Sequence, residues 1–318
     1  MKVLFMGTPD IAATCLQAVI DAGHTVVGAV SQPDRPKGRG HKLQPTPVKV
    51  TAEAAGIPVF QPTTLKNGVF DDTVRALAPD ILVVVAFGMI LPKSVLDLPP
   101  MGAVNVHASL LPRYRGAAPM QRVIMDGEKQ TGVTIMYMDE GLDTGDMILT
   151  EAWDLTEEDD FGTLHDKTAA VGSSLLCRAL SMIEEGNAPR TQQPEEGASY
   201  AAKITKDDCI LDFSLDAQVL SCRIRGLSPI PLAVTALPDG RLLKIVSARI
   251  ADADTVHTAD QVGKVVAVSD KGEGYVRIAC AKGSIDLIKL RPEGKGGMNA
   301  ADFLRGRGIA LGDKLGQI

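Results

Sequence analysis

Between Gly102 and Pro112 the chain reads Gly-Ala-Val-Asn-Val-His-Ala-Ser-Leu-Leu-Pro, with Asn105 and His107 two residues apart among valines. Side chains two apart in a strand share a face, so Val104 and Val106 can pack inward while Asn105 and His107 project together from the other side. An amide supplies neutral N–H donors, and an imidazole supplies an N–H that can also carry charge. Together they can hold an oxygen on which negative charge develops, as at a carbonyl under attack. The same pair could equally be hydrogen-bonded at a sheet's end with no chemistry to perform. A second polar segment, Met138 to Asp146, closes an apolar strand with Gly141, Gly145 and the carboxylates Asp139, Glu140, Asp143 and Asp146. Loops at strand ends of open α/β sheets bind ligands, and a carboxylate there can orient a histidine. Two weaker signals flank these. Phe87-Gly-Met-Ile-Leu-Pro92 breaks a central strand near the expected cleft, and Leu110-Leu-Pro-Arg-Tyr-Arg-Gly116 is a turn with two cations.

Elements that could position such groups are legible around them. Lys2–Met6 reads as a strand running into Gly7-Thr-Pro-Asp10, where Thr8 can N-cap a helix that continues to about Ala22. His24–Ser31 follows as a strand, Val48–Ala55 as a helix and Ile57–Phe60 as an extended piece. The apolar run Ile81–Phe87 reads as a strand covered on both faces, and Ala103–His107 and Gly132–Met138 as further strands. Alternating strands and helices predict a doubly wound, Rossmann-like parallel α/β domain over 1–186, closed by a long helix at Phe161–Ile183. Residues 187–200, rich in Pro, Gly, Gln and Glu, read as a linker. Over 201–318 one helix, Leu215–Ile224, precedes short strands at Ala233–Leu237, Leu242–Ile250, Val262–Val268, Tyr275–Ala279 and Ile285–Leu290. That pattern predicts a smaller, OB-like β-barrel.

Composition narrows the class. The 318 residues are 45% hydrophobic and 23% charged, enough for two cores. No charged-then-apolar leader and no run near the ~20 apolar residues needed to span a bilayer is present, so a cytoplasmic enzyme without a membrane partner is expected. The five cysteines form no C-x-x-C pair and have no histidine at zinc-ligand spacing. They read as reduced packing residues, and no metal site is expected. Net charge is −6, but it is split, −9 over residues 1–200 and +3 over 201–318. A polyanionic ligand that avoids the acidic part is compatible with that split. Gly7-Thr-Pro-Asp10 lacks the G-x-G-x-x-G spacing, and Asp10 would oppose a pyrophosphate at that helix end, which disfavours a dinucleotide enzyme.

Asn105-Val-His107, Ser109-Leu-Leu-Pro112 and Leu142-Asp-Thr-Gly145 together resemble the formyltransferase family that draws on 10-formyltetrahydrofolate. The resemblance implies a catalytic trio of Asn105, His107 and Asp143, and it selects Asp143 from the four loop carboxylates. It also implies folate binding beside Ser109, Leu110, Leu111 and Pro112. Longer stretches narrow it to the branch acting on methionyl-tRNA: Gly7–Asp10, Gln32-Pro-Asp-Arg-Pro36, Gly38-Arg-Gly40, Pro47-Val-Lys49, Arg115-Gly-Ala-Ala-Pro119, Gly141–Met147, Tyr200–Thr205 and Ile224-Arg-Gly226. One departure is Ile230 in Ser228-Pro-Ile-Pro231, where relatives usually carry Trp. The implied reaction is acyl transfer from nitrogen to nitrogen, with charged initiator tRNA and the folate donor as partners and no metal. Asn105 would serve the oxyanion. His107 would serve the same oxygen or the departing folate nitrogen, while Asp143 would hold His107 and could accept the amine's proton. The alternative is a related enzyme formylating a small amine such as a sugar nucleotide or glycinamide ribonucleotide.

The loop Gln32–Lys42 carries Arg35, Lys37, Arg39, His41 and Lys42 against a single acid, Asp34. Its glycines and prolines predict an irregular mobile arm, and the resemblance makes Arg35, Lys37, Arg39 and Lys42 the tRNA contacts. Residues 139–160, with ten carboxylates and no Lys or Arg, must then lie away from the RNA.

Overall fold

Strand β1 (Lys2–Gly7) enters the core at once, Val3 to Met6 being fully buried, and helix α1 (Asp10–Asp21) returns over it. The computed structural model describes residues 1–37, 42–306 and 308–316. After α1 come β2 (Thr25–Val30), the short pair β3 (Arg35–Lys37) and β4 (Lys42–Gln44), α2 (Pro47–Ala54), β5 (Val59–Phe60) and α3 (Asp71–Leu77). Next are β6 (Ile81–Val85), α4 (Lys93–Leu96), β7 (Ala103–His107), β8 (Arg115–Gly116), α5 (Pro119–Met125), β9 (Gln130–Tyr137), β10 (Met147–Asp154), α6 (Phe161–Glu184) and β11 (Tyr200–Ala201). Contacts group Met1–Pro119, Gln130–Asp154 and His165–Ala201 into one unit, and Met120–Lys129, Leu155–Leu164 and Ala202–Ile318 into another.

The first unit is built on a seven-stranded sheet of order β10-β9-β7-β6-β1-β2-β5. The five strands from β7 to β5 are parallel, as expected of a doubly wound sheet, whereas β9 runs antiparallel to β7 and β10 antiparallel to β9. The sheet is therefore mixed. Chain order reverses between β1 and β6, so this is the switch point at which such sheets open a crevice. Both faces are covered. Val3, Phe5, Val83, Val104, Val106, Val133 and Ile135 pack with α1 and α6 residues, while Leu4, Met6, Leu82, Val84 and Ala103 pack with Val74, Val95 and Leu96 from α3 and α4. That double covering is why the inner strands read as continuous apolar runs. Helix α6 lies close: a Cβ on Gly172 would come 3.1 Å from Val106 and 3.5 Å from Val133.

Two local expectations are corrected. Thr8 does not cap α1, whose N-cap is Pro9 without a side-chain bond. Its hydroxyl instead donates to Phe87 O at 3.0 Å and accepts from Gln32 N at 3.3 Å, tying together the chain beyond β6 and β2, where strand pairing has ended. Within the stretch expected to be an irregular arm, the described residues are paired strand, β3 running antiparallel to β4 as the two arms of a hairpin with Pro36 facing Leu43, and residues 38–41 lie outside the described residues. A two-stranded ribbon has only edges, which is where a proline is tolerated.

In the second unit α7 (Ala217–Leu227) is followed by β12 (Ala233–Ala236), β13 (Leu242–Val256), β14 (Val265–Ser269), β15 (Tyr275–Ala279), β16 (Lys282–Pro292), β17 (Met298–Asn299) and α8 (Ala300–Arg305). The antiparallel sheet runs β12-β13-β16-β15-β14. The chain's last described residues bridge its two edges, Gly316 exchanging backbone hydrogen bonds with Ala236 and Leu315 N donating to Gly263 O. The sheet thereby closes into a barrel around Ile245, Val265, Ile278, Ile285, Leu287 and Leu290, plugged by Leu220 and Ile224 of α7. Strand β13 outruns its expected length because bulges keep it paired along β16.

The unit is also pinned by Arg122, whose guanidinium reaches both oxygens of Asp208 at 2.8 and 2.9 Å. That hydrogen bonding, aided by Thr205, pushes the Asp208 carboxyl down to about 2. A carboxylate with a depressed folded pKa stabilises above its unfolded pKa and loses that contribution as pH falls through the folded one. Asp208→Asn is therefore expected to cost about 1–2 kcal/mol near neutral pH, with the gap to the parent closing between about pH 4 and pH 2. Urea unfolding across that range checks it, and a gap independent of pH would contradict it.

All five cysteines are free, and burial pushes the Cys15 and Cys280 thiols up to about 12, as suits reduced packing residues.

Candidate active site

Strand β7 sends Val104 and Val106 into the core on the α1/α6 side, which leaves Asn105 and His107 on the opposite face. The loop between β9 and β10 folds over that face and brings Asp143 to both. Asp143 Oδ1 accepts from Asn105 Nδ2 at 3.4 Å, and Oδ2 lies 3.6 Å from His107 Nδ1. His107 is buried, and its Nε2 lies 2.9 Å from Tyr114 O. A carbonyl only accepts, so Nε2 carries the ring's first proton, and a second would sit on Nδ1 facing Asp143. Both separations from Asp143 exceed a strong hydrogen bond, so amide, imidazole and carboxylate converge without exhausting one another. Such a cluster can hold a developing oxyanion and pass a proton, and none of its members is an activated Ser, Cys or Lys nucleophile.

Geometry also separates the four loop carboxylates. Asp139 is spent inside the loop, accepting from Gly141 N at 3.0 Å and from Thr144 Oγ1 at 2.7 Å. Glu140 reaches Lys93 at 3.3 Å, and Asp146 lies 3.7 Å from Arg190. Asp143 faces inward, its Oδ2 fixed by Gly116 N at 2.7 Å. Its φ of 55° lies in the left-handed region that a side chain enters only where its surroundings impose it. Gly145 is required for the same path, since a Cβ there would meet Tyr137 O at 1.9 Å.

The turn Ser109–Pro112 follows β7 directly. Ser109 and Leu111 are buried. The Ser109 hydroxyl donates to Arg113 O at 2.6 Å, and Thr134 Oγ1 donates to Ser109 O at 2.8 Å while accepting from Leu111 N at 3.3 Å. These two side chains hold the turn's shape, leaving half-buried Leu110 and Pro112 as its more open members. A groove of about 460 Å³ opens at the other end of β7. Gly102 and Ala103 form part of its lining, with Met138–Gly141 and with Lys93, Leu96 and Asp97 beside them, and Arg190 stacks on the Tyr137 ring at 3.7 Å.

Sequence reasoning missed three buried contributors: Tyr114, whose carbonyl orients His107, and Arg115 with Gln193, which brace the Asp143 loop. In the sequence Arg115 reads as a turn cation and as the first residue of Arg115-Gly-Ala-Ala-Pro119, and neither reading marks it as a buried brace. Gln193 stands in the stretch read as a linker, where no pattern marks it. Of the expected RNA contacts, Arg35 is exposed at the start of β3 and donates to Gln32 Oε1 at 3.1 Å; Lys37 and Lys42 take part in the hairpin's backbone pairing. Arg39 and His41 lie outside the described residues. The hairpin's root is pinned, Asp34 accepting from Lys49 Nζ and Gln61 Nε2, each at 2.7 Å, and those bonds hold its carboxyl below the usual range. Among the described residues no group of three or more His, Cys, Asp or Glu is placed to hold a metal, and no helix is long and apolar enough to cross a membrane.

An open mixed α/β sheet bearing an amide, imidazole and carboxylate cluster is a fold and site equipped for acyl chemistry. Comparison with known proteins makes the class specific. Residues 1–180 match the formyl transferase family and residues 203–308 the formyl transferase C-terminal domain. The methionyl-tRNA formyltransferase of Geotalea daltonii is 44% identical over 99% of this chain and 98% of its own, and that of Symbiobacterium thermophilum 45% identical over 99% and 95%. Among solved structures, the N-formyltransferase from Helicobacter canadensis in complex with folinic acid and dTDP-3-aminofucose superposes with a TM-score of 0.65 at 18% identity, over 90% of this chain and 98% of its own. HypX from Aquifex aeolicus in complex with tetrahydrofolic acid gives 0.64 at 17% identity, over 96% of this chain and 47% of that one. These last two attest the fold. The chain belongs to the formyl transferase family, in its methionyl-tRNA formyltransferase branch.

Proposed function

We propose that this enzyme moves the formyl group of 10-formyltetrahydrofolate onto the α-amino group of methionine esterified to initiator tRNA, in the cytoplasm. The observation that carries the reading is the meeting of Asn105, His107 and Asp143 at 3.4–3.6 Å in a chain that matches methionyl-tRNA formyltransferases end to end. The methionine amine attacks the formyl carbon, and the bond to the folate N10 breaks. The amine loses one proton and N10 gains one, so the site must relay a proton rather than supply or consume one. Asn105 Nδ2–H stabilises the oxyanion of the tetrahedral intermediate. His107 and Asp143 form the relay, Asp143 holding the imidazolium that exists while the proton is in transit.

The folate lies beside Ser109, Leu110, Leu111 and Pro112, the turn at the end of β7 that carries His107. The seven-stranded unit acts as the catalytic domain, with residues 187–200, expected as a linker, grouped into it and Gln193 bracing its loop, and the barrel formed within 201–318 contacts the tRNA. The β3–β4 hairpin is the second RNA contact, through Arg35, Lys37, Arg39 and Lys42. Arg35→Ala and Arg39→Ala are expected to weaken use of charged initiator tRNA by about 1–3 kcal/mol where the side chain reads a base edge. Loss of a phosphate contact would instead show as a smaller effect with a shallower salt dependence. Unchanged kinetics for both variants across a salt series would remove the hairpin from RNA recognition.

The overall reading is tested by stoichiometry. Purified enzyme given the donor and charged initiator tRNA should form one tetrahydrofolate per formylmethionyl ester. Donor consumption without formylated ester would contradict it.

A further inference from the structure

Asp143 needs more support than its side chain receives from Gly116. Its backbone is left-handed, and its loop is held to the rest of the first unit by a residue 50 positions away. Gln193 Nε2 donates to Asp143 O and to Gly145 O, both at 2.8 Å, so one amide clamps the backbone on each side of Thr144. The other end of that amide is fixed in turn: Gln193 Oε1 accepts from Arg115 Nε at 3.1 Å and Nη2 at 2.8 Å. The orientation is unambiguous, because a guanidinium only donates and carbonyls only accept. Arg115 and Gln193 are both more than nine-tenths buried, and Arg115 directly precedes Gly116, whose N–H holds Asp143 Oδ2. The pair therefore fixes Asp143 by main chain and by side chain at once.

We propose that Gln193 is a positioning residue for formyl transfer, holding Asp143 at His107 through the Arg115–Gln193 clamp. The inference rests on the assignment of Asp143 to the proton relay. It predicts that losing the donor half of the amide is enough to slow the reaction even with the Arg115 contact kept, since that half reaches the loop.

Gln193→Glu isolates this. It keeps the acceptor toward Arg115, has nearly the same shape, and turns an oxygen toward two carbonyl oxygens where a donor stood. A displacement of the loop by around 1 Å is expected to lower kcat by about 100-fold. KM for charged initiator tRNA and for the donor should stay within about threefold of the parent. In an Asp143→Ala background the same change should leave the residual kcat within about twofold, because the clamped group is already gone. A general loss of structure would lower kcat by the same factor in both backgrounds, and that result overturns the proposal. So does a folded Gln193→Glu enzyme with kcat within about twofold of the parent while Asp143→Ala is impaired. Gln193→Ala, run in parallel with thermal unfolding of each variant, gives the same cycle should the Glu variant fail to fold. Parental activity of Asp143→Ala itself would sink the assignment of Asp143 and the clamp with it.

Discussion

Replacing His107 by Ala is expected to lower kcat/KM for formyl transfer by roughly 10²–10³-fold, or about 2.7–4 kcal/mol of barrier, while the protein stays folded. His107 is buried and hydrogen-bonded to a backbone carbonyl, but the packing on its strand is carried by Val104 and Val106 on the other face. The fold therefore does not hang on the imidazole. Asn105→Ala and Asp143→Ala should show losses of similar size, since the amide and the imidazole each face the Asp143 carboxylate across less than 4 Å. Combining them should cost far less than the sum, because groups acting on one transition state fail together. Circular dichroism and single-turnover kinetics on each variant check both halves. A folded His107→Ala enzyme within about threefold of the parent would remove it from the reaction.

Gly145→Ala should be comparably damaging for a different reason. Its new methyl would lie 1.9 Å from Tyr137 O, a backbone atom of the central sheet that cannot rotate away. The loop must shift instead, taking with it Asp143 and the Gly145 carbonyl that Gln193 binds. A shift on the order of 1 Å is enough for about a 100-fold loss in kcat. Gly297→Ala, with nothing within 4 Å of the added carbon, is the matched control and should be indistinguishable from the parent. Equal activity of the two glycine variants would show that the loop tolerates displacement and that Asp143 is not held to a narrow position.

The reach of sequence reasoning here has physical limits that particular residues mark. Strands β1, β6 and β7 were legible because burial on both faces demands unbroken apolar runs, and the alternation within Ala103–His107 placed Asn105 and His107 on one side. Their convergence with Asp143 was legible only through the family resemblance. Four carboxylates lie in one short loop, and spacing carries no record that Asp139, Glu140 and Asp146 have other partners. Strand direction was not legible either: Gly132–Met138 has the same pattern whether it runs with β7 or against it, and the antiparallel pairing follows from tertiary topology. Gln193 was invisible because a buried amide in a polar, proline-bearing segment has the composition of a solvated linker. The barrel's closure by residues near Leu315 was likewise hidden, since an isolated bridging segment has no period to read.

The most direct test of formyl transfer to the methionyl ester is a competition. Donor carrying a labelled formyl group is mixed with the enzyme and equal concentrations of methionine-charged initiator tRNA, methionine-charged elongator tRNA, free methionine and an amino-sugar nucleotide. The formylated products are then separated during the first turnovers. Nearly all label should enter the initiator ester, and the Asp143→Ala enzyme should transfer little to any acceptor. Label entering the amino-sugar nucleotide or free methionine at a comparable rate would contradict the assignment and make this chain a small-amine formyltransferase.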